Sequence, residues 1–345
     1  MHLYIKTIYR TCGYLNYLHI MHLLIKWYYW YKNLGDELII FSLLNWADEY
    51  FQPNKISIEC WDETWLENWI IRHKDFLIPW IIEKLNFLPK PNWKDKIRLC
   101  LWMKKNVYDF IILWWWEVID ESRNLLYRWW NLYFQYKWDI KQWHCAIVGW
   151  LWTNKKLWTN YLQRFLVKNA NIIILRDKNS FELTKKILQE SWKSWENKAE
   201  YDWDLTLSLL EEAKEVFRKE KIKSKRDSYY LVNFSPLCKK EDCFKIIKKF
   251  SDSHKNMQPI YIACNKTEDE TFYKDIQEIL PNCEIFDWTQ ANITETLKLF
   301  YFSEWWIWAR LHFLYILKFF NRQIIQLHNS HKIISNLSDL DNNNA

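Results

Sequence analysis

Two short segments carry the residue types best suited to bind an anion and to move a proton. Arg310 and His312 lie two positions apart near the C-terminal end, and Arg176-Asp177 directly follows the apolar run Ile172–Leu175. Arginine binds carboxylates and phosphates through paired hydrogen bonds, and histidine titrates near neutral pH. The pattern predicts an anion site with an acid–base group. The alternatives are a structural Arg176–Asp177 ion pair and a core histidine at a helix start.

A second group of polar side chains comes early in the chain. The segment Asn33-Leu34-Gly35-Asp36-Glu37 follows the apolar run Leu23–Tyr29, which predicts a first strand, and precedes an apolar helix through Leu44. Acidic residues such as Asp36 and Glu37 stabilise the start of a helix. A glycine-bearing loop at this place can hold a phosphate, or it can be an ordinary turn.

A third candidate segment is Asp109–Glu117, an apolar run that ends in three consecutive tryptophans and a glutamate. The short β-branched run predicts a buried parallel strand, and α/β proteins place ligand-binding loops at the carboxyl ends of such strands. Those loops need glycine for tight turns and close approach to a phosphate. Trp114, Trp115 and Trp116 occupy the predicted loop. Glu117 is either a functional carboxylate or part of a solvated helix start.

Tryptophan is unusually frequent and glycine unusually rare along the whole chain. The 26 Trp and 3 Gly together make up about 8% of the 345 residues, and glycine alone averages about 7% in proteins. Further Trp residues lie where turns call for glycine, in segments 149–154, 191–196, 202–204 and 304–308. We hypothesise that most of them are glycines in the cell. The gene would come from an organism that reads UGA as glycine, and the sequence would have been translated with a table that reads UGA as tryptophan. The alternative is a protein that is rich in tryptophan by nature.

Composition narrows the class of protein. The net charge of +6 suits an anionic small molecule and is too diffuse to indicate a nucleic-acid partner. The eight cysteines form no CxxC pair, so we expect reduced thiols, no disulfide framework and no metal site in a cytoplasmic protein. No apolar run approaches the length of a membrane span, and charged residues interrupt the N-terminal segment, which does not look like a signal peptide.

Strands and helices alternate in two blocks, which predicts two doubly wound Rossmann-like α/β domains facing a cleft. Residues 1–20 are either an upstream extension or an extra helix, and 21–210 form the N-terminal domain. The charged stretch 211–227 predicts a linker, and 228–340 form the C-terminal domain. The asparagine-rich end, 341–345, is expected to be disordered. Beyond the strands already named, further strands are predicted at 55–60, 145–149, 229–234, 259–263, 283–286 and 324–327.

The segments taken together resemble the polysaccharide pyruvyl transferase family. With glycine restored, they read G-Y-K-N-L-G-D-E, then G-G-G after a strand, then R-D-x-x-S, and finally G-I-G-A-R-L-H near the C-terminus. The resemblance runs from about residue 23 to about residue 335, and the order of the segments makes it fairly specific. The residues 61–107 match no motif of the family.

The resemblance implies a GT-B-like fold and a transferase that moves the pyruvyl group of phosphoenolpyruvate onto a sugar, as a ketal. The acceptor would be a cell-surface polysaccharide or its lipid-linked oligosaccharide precursor, so a peripheral contact with the inner face of the membrane is expected. Phosphoenolpyruvate is the donor substrate, and no cofactor or metal is expected. Arg310 and His312 are the catalytic candidates. The substrate-binding candidates are Asn33, Asp36, Glu37, Trp114, Trp115, Trp116, Glu117, Arg176, Asp177 and Lys332.

Two other functions stay open at this point. A glycosyltransferase that uses a nucleotide sugar would share the expected architecture, and a non-catalytic carbohydrate- or phosphate-binding relative would keep the fold without the reaction. A Rossmann oxidoreductase is disfavoured, because no G-x-G-x-x-G follows the first strand even with glycines restored. No particular oligomeric state is predicted.

Overall fold

A computed structural model describes the fold at residues 21–27, 32–60, 62–89, 108–115, 145–149, 164–175, 178–191, 198–201, 206–220, 228–236, 238–309, 316 and 319–327. The chain divides into two compact units, and both are discontinuous. Unit 1 comprises Met1–Tyr29, Asn45–Asn68 and Ile78–Asp204. Unit 2 comprises Trp30–Leu44, Trp69–Leu77 and Leu205–Ala345.

Unit 1 contains a seven-stranded parallel sheet. Its strands are β1 (His22–Trp27), β2 (Lys55–Cys60), β3 (Leu85–Pro89), β4 (Phe110–Trp115), β5 (Cys145–Gly149), β6 (Ile172–Leu175) and β7 (Ala199–Tyr201). The order across the sheet is β3-β2-β1-β4-β5-β6-β7. The chain therefore builds outward from β1 in one direction, then returns to place β4 on the other side of β1. This reversal makes the gap between β1 and β4 the switch point of the sheet, where ligands bind in open α/β folds.

Unit 2 contains a five-stranded parallel sheet whose strand order reverses in the same way. Its strands are β8 (Tyr229–Val232), β9 (Gln258–Ile262), β10 (Glu284–Phe286), β11 (Trp305–Trp308) and β12 (Gln323–Gln326). Their order is β10-β9-β8-β11-β12, so the switch point lies between β8 and β11. In the register of this pair, Trp305 lies opposite Tyr230 and Ile307 opposite Val232.

Helices cover the sheets and connect the strands. They are α1 (Leu34–Phe51), α2 (Glu63–Arg72), α3 (Ile81–Lys84), α4 (Lys178–Gln189), α5 (Thr206–Glu220), α6 (Lys240–Ser253), α7 (Lys266–Asp269), α8 (Tyr273–Ile279) and α9 (Ile293–Phe302). Residues 164–169 form a further helical segment. Helical residues on one face are buried, as the 3.6-residue period requires. In α6 these are Cys243, Ile247 and Phe250.

Each sheet is packed on a separate apolar core. In unit 1, Ile111, Ile147 and Ile173 from three neighbouring strands pack together with Leu188 of α4. In unit 2, Tyr230, Tyr261 and Ile307 of the sheet pack with the buried face of α6. Strands buried on both sides read as continuous apolar runs, which is why β6 and β8 are recognisable from sequence. The burial of these side chains gives each unit its own hydrophobic stabilisation.

Two groups of tryptophans lie in strands rather than in loops or turns. Trp114 and Trp115 are the last residues of β4, so the expected loop of three indoles begins no earlier than Trp116. Segment 305–308 was expected to hold turn positions and instead forms β11. The described non-glycine residues with positive φ are Lys32, Gln52 and Asn321. The backbone at these tryptophans is therefore extended because it pairs with neighbouring strands, and it does not require glycine.

The division into units differs from the expected domain boundaries. Segments 30–44 and 69–77 were expected in the N-terminal domain and cluster with unit 2. The charged stretch 211–227 was expected to hold a helix and a linker, and helix α5 covers it up to Glu220. Strands β3 and β7 were not predicted. The expected extension 1–20 and the expected disordered end 341–345 lie outside the described residues.

Across the described ranges, no helix combines the length and the apolar character that crossing a membrane requires.

Candidate active site

The carboxyl ends of β8, β9 and β11 form one edge of the sheet in unit 2. Asn233 follows β8, Cys264 and Asn265 follow β9, and the buried Ala309 follows β11. The backbone N–H of Asn233 donates a hydrogen bond of 2.9 Å to the carbonyl oxygen of Ile307, which extends the β8–β11 pairing beyond the strand. Arg310 comes next after Ala309 in the sequence. The edge at the switch point is thus lined by polar residues, and the chain leaves it toward the predicted catalytic segment.

The segment Lys32–Glu37 is attached to this same edge within unit 2. Asn33 and Asn265 form an antiparallel β-bridge. The backbone N–H of Leu34 donates to the carbonyl oxygen of Cys264 at 2.9 Å, and that of Lys266 donates to the carbonyl oxygen of Lys32 at 3.0 Å. These bonds join the N-L-G-D-E segment to the end of β9. They also explain why residues 30–44 cluster with unit 2.

Backbone N–H groups at the start of α1 already donate hydrogen bonds to other groups of the protein. The side-chain oxygen of Asn33 accepts the backbone N–H of Gly35 at 3.2 Å, which is the contact of a helix N-cap. The backbone oxygen of Asn33 accepts the N–H of Glu37 at 3.0 Å, as the first intrahelical bond. With Leu34 bonded to Cys264, two of the N–H groups that a helix start could offer to an anion are already used. Asn33 is therefore a structural cap, and its predicted contact with substrate stays a prediction.

Glu37 is fully buried in the first turn of α1. A buried carboxylate needs compensating interactions, and this residue has interactions beyond its backbone bond to Asn33. The backbone of Asp36 lies in the same turn, and its side chain is outside the described part of the structure. The predicted substrate-binding role of both carboxylates stays a prediction.

A charged cluster supports the edge from the side of α7. The ammonium group of Lys266 donates to Asp287 Oδ2 at 2.5 Å and to Thr289 Oγ1 at 3.0 Å, and lies 3.5 Å from Glu270 Oε1. Burial alone would lower the pKa of Lys266, but its hydrogen bond to Asp287 and the nearby carboxylates outweigh burial and raise it. The pKa of Asp287 is lowered: burial would raise it, but the bonds from Lys266 and Thr289 prevail. Lys266 is therefore a fixed cation.

Residues 69–77 pack on the other side of the same cluster. Arg72 Nη1 donates to the carbonyl oxygen of Thr289 at 2.8 Å. The buried His73 lies with Nδ1 3.5 Å from the backbone N–H of Ile293, the first residue of α9. Burial, followed by the charge of Arg72, lowers the pKa of His73 from 6.5 to about 4, against an opposing effect of Asp75. His73 is therefore neutral at physiological pH, which suits a structural acceptor.

A polar network lies at the centre of the edge. The side-chain amide of Asn233 donates to the carbonyl oxygen of Ile262 at 2.9 Å and to Asp269 Oδ2 at 3.1 Å. Asp269 Oδ2 also accepts the backbone N–H of Asn265 at 3.0 Å. Asn233, Asn265 and Asp269 are all buried. The network ties the ends of β8 and β9 to α7 and, through Asn265, to the bridge with Asn33.

Sequence reasoning missed Asn233 and Asp269. The signal at Asn233 is a polar residue directly after the apolar run Tyr229–Val232, where a buried parallel strand reaches its carboxyl edge. Asp269 carries no comparable signal, because an acidic residue in the first turn of a short helix is usually solvated. Only the tertiary contacts show that its carboxylate is buried against Asn233.

Unit 1 has its own polar edge. Trp114 and Trp115 end β4, and the register places Trp114 opposite Trp27, the last residue of β1. The buried Lys26 lies one position earlier, with its ammonium group 3.4 Å from Glu59 Oε2 of β2. The carboxyl end of β1 therefore carries an ion pair with β2, in which Lys26 is the buried partner. The side chains of Trp114 and Trp115 are outside the described part.

The remaining predicted site residues lie outside the described residues. They are Trp116, Glu117, Arg176, Asp177, Arg310, His312 and Lys332. Their neighbours in sequence are described for three of the segments: Trp116 follows β4, Arg176 follows β6, and Arg310 comes two residues after β11. Among the described residues, no group of three or more His, Cys, Asp or Glu could hold a metal ion.

No protein-family model and no curated protein matches this sequence. Solved structures with a similar fold include the UDP-GlcNAc 2-epimerase of Neisseria meningitidis bound to UDP-GlcNAc, at 11% identity, 92% coverage of this chain, 85% of that chain and a TM-score of 0.57. The Rickettsia bellii UDP-N-acetylglucosamine 2-epimerase has 8% identity, 91% and 81% coverage and a TM-score of 0.57. The Methanocaldococcus jannaschii UDP-GlcNAc 2-epimerase has 12% identity, 90% and 85% coverage and a TM-score of 0.53.

At these identities the likeness concerns the fold. Both sheets of this chain are entirely parallel, each has a switch point, and the similarity extends over about nine tenths of the chain. The expected fold class is confirmed: the protein is an α/β protein with two Rossmann-like units and a GT-B-type fold.

Proposed function

We propose that this protein is a carbohydrate-processing enzyme of GT-B fold, and that its reaction is transfer of the pyruvyl group of phosphoenolpyruvate to a sugar. The observation that best supports this proposal comes from unit 2. The N-L-G-D-E segment is bonded to the end of β9, and the R-L-H segment begins two residues after β11. Strand β8 separates β9 from β11 in the sheet. The N-L-G-D-E segment is thus bonded to the edge at which the strand before R-L-H ends, which supports a common role.

The chemistry asks for two kinds of group. Phosphoenolpyruvate carries a carboxylate and a phosphate, and Arg310 is suited to bind either one through paired hydrogen bonds. Protonation of the methylene carbon makes the neighbouring carbon cationic, two sugar hydroxyls bond to that carbon, and inorganic phosphate leaves. His312 can give or take the protons involved, since histidine titrates near neutral pH. A carboxylate near the cationic centre would stabilise it, and Asp36, Glu37 and Glu117 are candidates.

A nucleotide-sugar enzyme is the second candidate. The similar structures include epimerases whose names specify UDP-GlcNAc, and one of them holds that compound. This observation supports a sugar substrate for the present chain, and it favours a nucleotide sugar over phosphoenolpyruvate. The order of the N-L-G-D-E, R-D and R-L-H segments favours pyruvyl transfer instead, because this order resembles the pyruvyl transferase family. The two candidates share the fold and differ in the donor.

The deciding experiment is a pair of calorimetric titrations of the purified protein, one with phosphoenolpyruvate and one with UDP-GlcNAc. The proposal expects saturable binding of phosphoenolpyruvate. It also expects release of inorganic phosphate when phosphoenolpyruvate is mixed with methyl glycosides of glucose, galactose and N-acetylglucosamine, with mass spectrometry detecting the added pyruvyl ketal. Binding of UDP-GlcNAc without any binding of phosphoenolpyruvate would reject the pyruvyl transfer and leave the second candidate.

A further inference from the structure

The side chain of Asn233 holds a distinctive position in unit 2. It follows β8, the central strand of the sheet, and its backbone N–H is bonded to Ile307 of β11. It therefore lies at the switch point, where parallel sheets bind their ligands. The residue is fully buried. A buried amide needs hydrogen-bond partners for both its N–H groups and its oxygen, since unpaired buried polar atoms are costly.

The orientation of this amide is fixed by its neighbours. Its nitrogen donates to two acceptors, the carbonyl oxygen of Ile262 at 2.9 Å and Asp269 Oδ2 at 3.1 Å. A flipped amide would bring its oxygen against both of these oxygens and would lose both bonds. Asp269 is itself held by the N–H of Asn265, so it cannot easily turn away. The nitrogen of Asn233 is used by the protein, and the oxygen is the free end.

That oxygen has no hydrogen-bond partner among the described residues. We propose that Asn233 Oδ1 accepts a hydrogen bond from a hydroxyl group of the bound sugar, and that Asp269 is the positioning residue that holds the amide for this contact. Inside a protein such a bond is stronger than in water, and it rejects a ligand that lacks the hydroxyl.

The choice of ligand group follows from chemistry and rests on the proposed function. Ionised phosphoenolpyruvate presents only acceptor oxygens, which the oxygen of Asn233 would repel. A sugar presents hydroxyl donors. Asn233 is therefore assigned to recognition of the sugar and not of the donor substrate. Substitutions of Asn233 are expected to change the KM for the sugar and to leave the affinity for phosphoenolpyruvate nearly unchanged.

The test compares three variants with the parent protein, using phosphoenolpyruvate and the methyl glycoside that best supports phosphate release. Asn233→Leu removes the oxygen and is expected to raise KM for the glycoside by about 2- to 13-fold, the factor of one neutral hydrogen bond. The Kd of phosphoenolpyruvate should stay within about twofold, as expected for a substrate that makes no bond to this oxygen. Asp269→Asn keeps the Asn233 oxygen and should change the glycoside KM less.

The rescue variant combines Asn233→Asp with Asp269→Asn. The exchanged pair restores one hydrogen bond with its donor and acceptor reversed and returns an oxygen to position 233, but it also places a carboxylate oxygen against the carbonyl oxygen of Ile262. The glycoside KM should therefore recover only in part. An unchanged glycoside KM in Asn233→Leu would overturn the proposal, and so would an equal loss for both substrates. If the parent protein binds no phosphoenolpyruvate or supports no phosphate release, the proposed pyruvyl transfer is rejected, and this result by itself does not decide the role of Asn233. Titration of the same variants with UDP-GlcNAc, which also carries hydroxyl donors, then decides the role of Asn233: unchanged affinity in Asn233→Leu would overturn it.

Discussion

Arg72 donates a hydrogen bond of 2.8 Å to the carbonyl oxygen of Thr289, a residue 217 positions later in the chain. Together with the contact of the neighbouring His73 to the first turn of α9, it joins the end of α2 to unit 2. Thr289 also bonds Lys266 and Asp287, so Arg72 contacts the charged cluster that these residues form. The polar edge of unit 2 is therefore supported by segments from two distant parts of the sequence.

The lowered pKa of His73 predicts a loss of stability in acid. Folding moves this pKa from 6.5 to about 4, so between these values the unfolded chain binds the proton and the folded chain does not. Stability therefore falls as the pH drops from 6.5 to 4, by about 3 kcal/mol for a shift of this size. Urea unfolding at several pH values measures it. His73→Gln should flatten the curve in this window, and an equally steep fall in His73→Gln would show that another group causes it.

Loss of the Asn33 cap should destabilise α1. Asn33→Ala removes the acceptor for the N–H of Gly35 and is expected to cost about 0.5–2 kcal/mol, while Asn33→Ser keeps an acceptor. The matched control is Asn292→Ala, which removes the cap of α9 and should cost a similar amount. Chemical denaturation measures both. If Asn33→Ser retains stability and still loses affinity for phosphoenolpyruvate, the predicted substrate contact of Asn33 is supported in addition to its structural one.

Arg310→Ala should weaken the binding of phosphoenolpyruvate. Loss of a charge-assisted contact to a buried anion costs roughly 1.5–3 kcal/mol, which corresponds to about 10- to 150-fold in Kd. Calorimetric titration measures the change. Arg218→Ala is a suitable control, because Arg218 is exposed on α5 and paired with Glu215. Donor affinity that is unaffected by Arg310→Ala would remove this residue from the site.

His312→Ala should lower turnover more than donor binding. Proton transfer by a positioned side chain contributes on the order of 10²- to 10⁴-fold to a rate, and the neutral imidazole adds little to the affinity for an anion. Single-turnover measurements of phosphate release, beside titrations with phosphoenolpyruvate, separate the two effects. Equal losses in rate and affinity, or no loss in either, would argue against an acid–base role.

The recoding hypothesis predicts UGA codons at the tryptophans, and UGG at Trp114, Trp115 and Trp116 would reject it. A protein with glycine at 30, 114, 115, 116, 150, 152, 305, 306 and 308 should fold and bind phosphoenolpyruvate. The tryptophan form should be inactive, because indoles at the strand ends would occupy the volume that the anion needs. Soluble yield, melting temperature and titration compare the two forms. A tryptophan form that folds and transfers pyruvate equally well would contradict the hypothesis and the placement of the donor site.

The buried pair Trp306 and Trp308 gives the sharpest local version of this test. Both indoles are fully buried, and both rings lie near Phe300 of α9, at 4.7 and 6.4 Å between centroids. If tryptophan is native here, each change to glycine leaves a large cavity and costs about 3–5 kcal/mol or more. If glycine is native, the double glycine form is the more stable one. Trp288→Phe is the control, because Trp288 is a buried indole whose N–H donates to Ala263.

The central strands were predictable because strands buried on both faces appear in the sequence as continuous apolar runs. The runs Lys55–Cys60 and Ile172–Leu175 have the predicted bounds, since apolar and β-branched residues continue through each strand. Strand β3 escaped prediction because it contains Asn86 and ends at Pro89, and as an edge strand it pairs only with β2. Strand β7 is a three-residue edge strand with little pattern to detect.

The candidate site was predictable only in part, for a different reason. Catalytic segments follow strands, so their positions along the chain could be read from the apolar runs. The groups that support them could not, because Asn233 meets Asp269 and Arg72 meets Thr289 through tertiary contacts. No local pattern joins residues that far apart, and the membership of segments 30–44 and 69–77 in unit 2 depends on such contacts.

The discontinuous make-up of unit 2 also limits how the gene can be divided. A fragment that starts at Leu205 would lack the residues that pair with Asn265 and those that bond Thr289. It would also expose Trp288, which packs edge-on against Trp69 at 5.3 Å. Chimeras that exchange halves with a relative at the charged stretch would break the same contacts. Recombination is therefore best tolerated when segments 30–44 and 69–77 are inherited together with the C-terminal part.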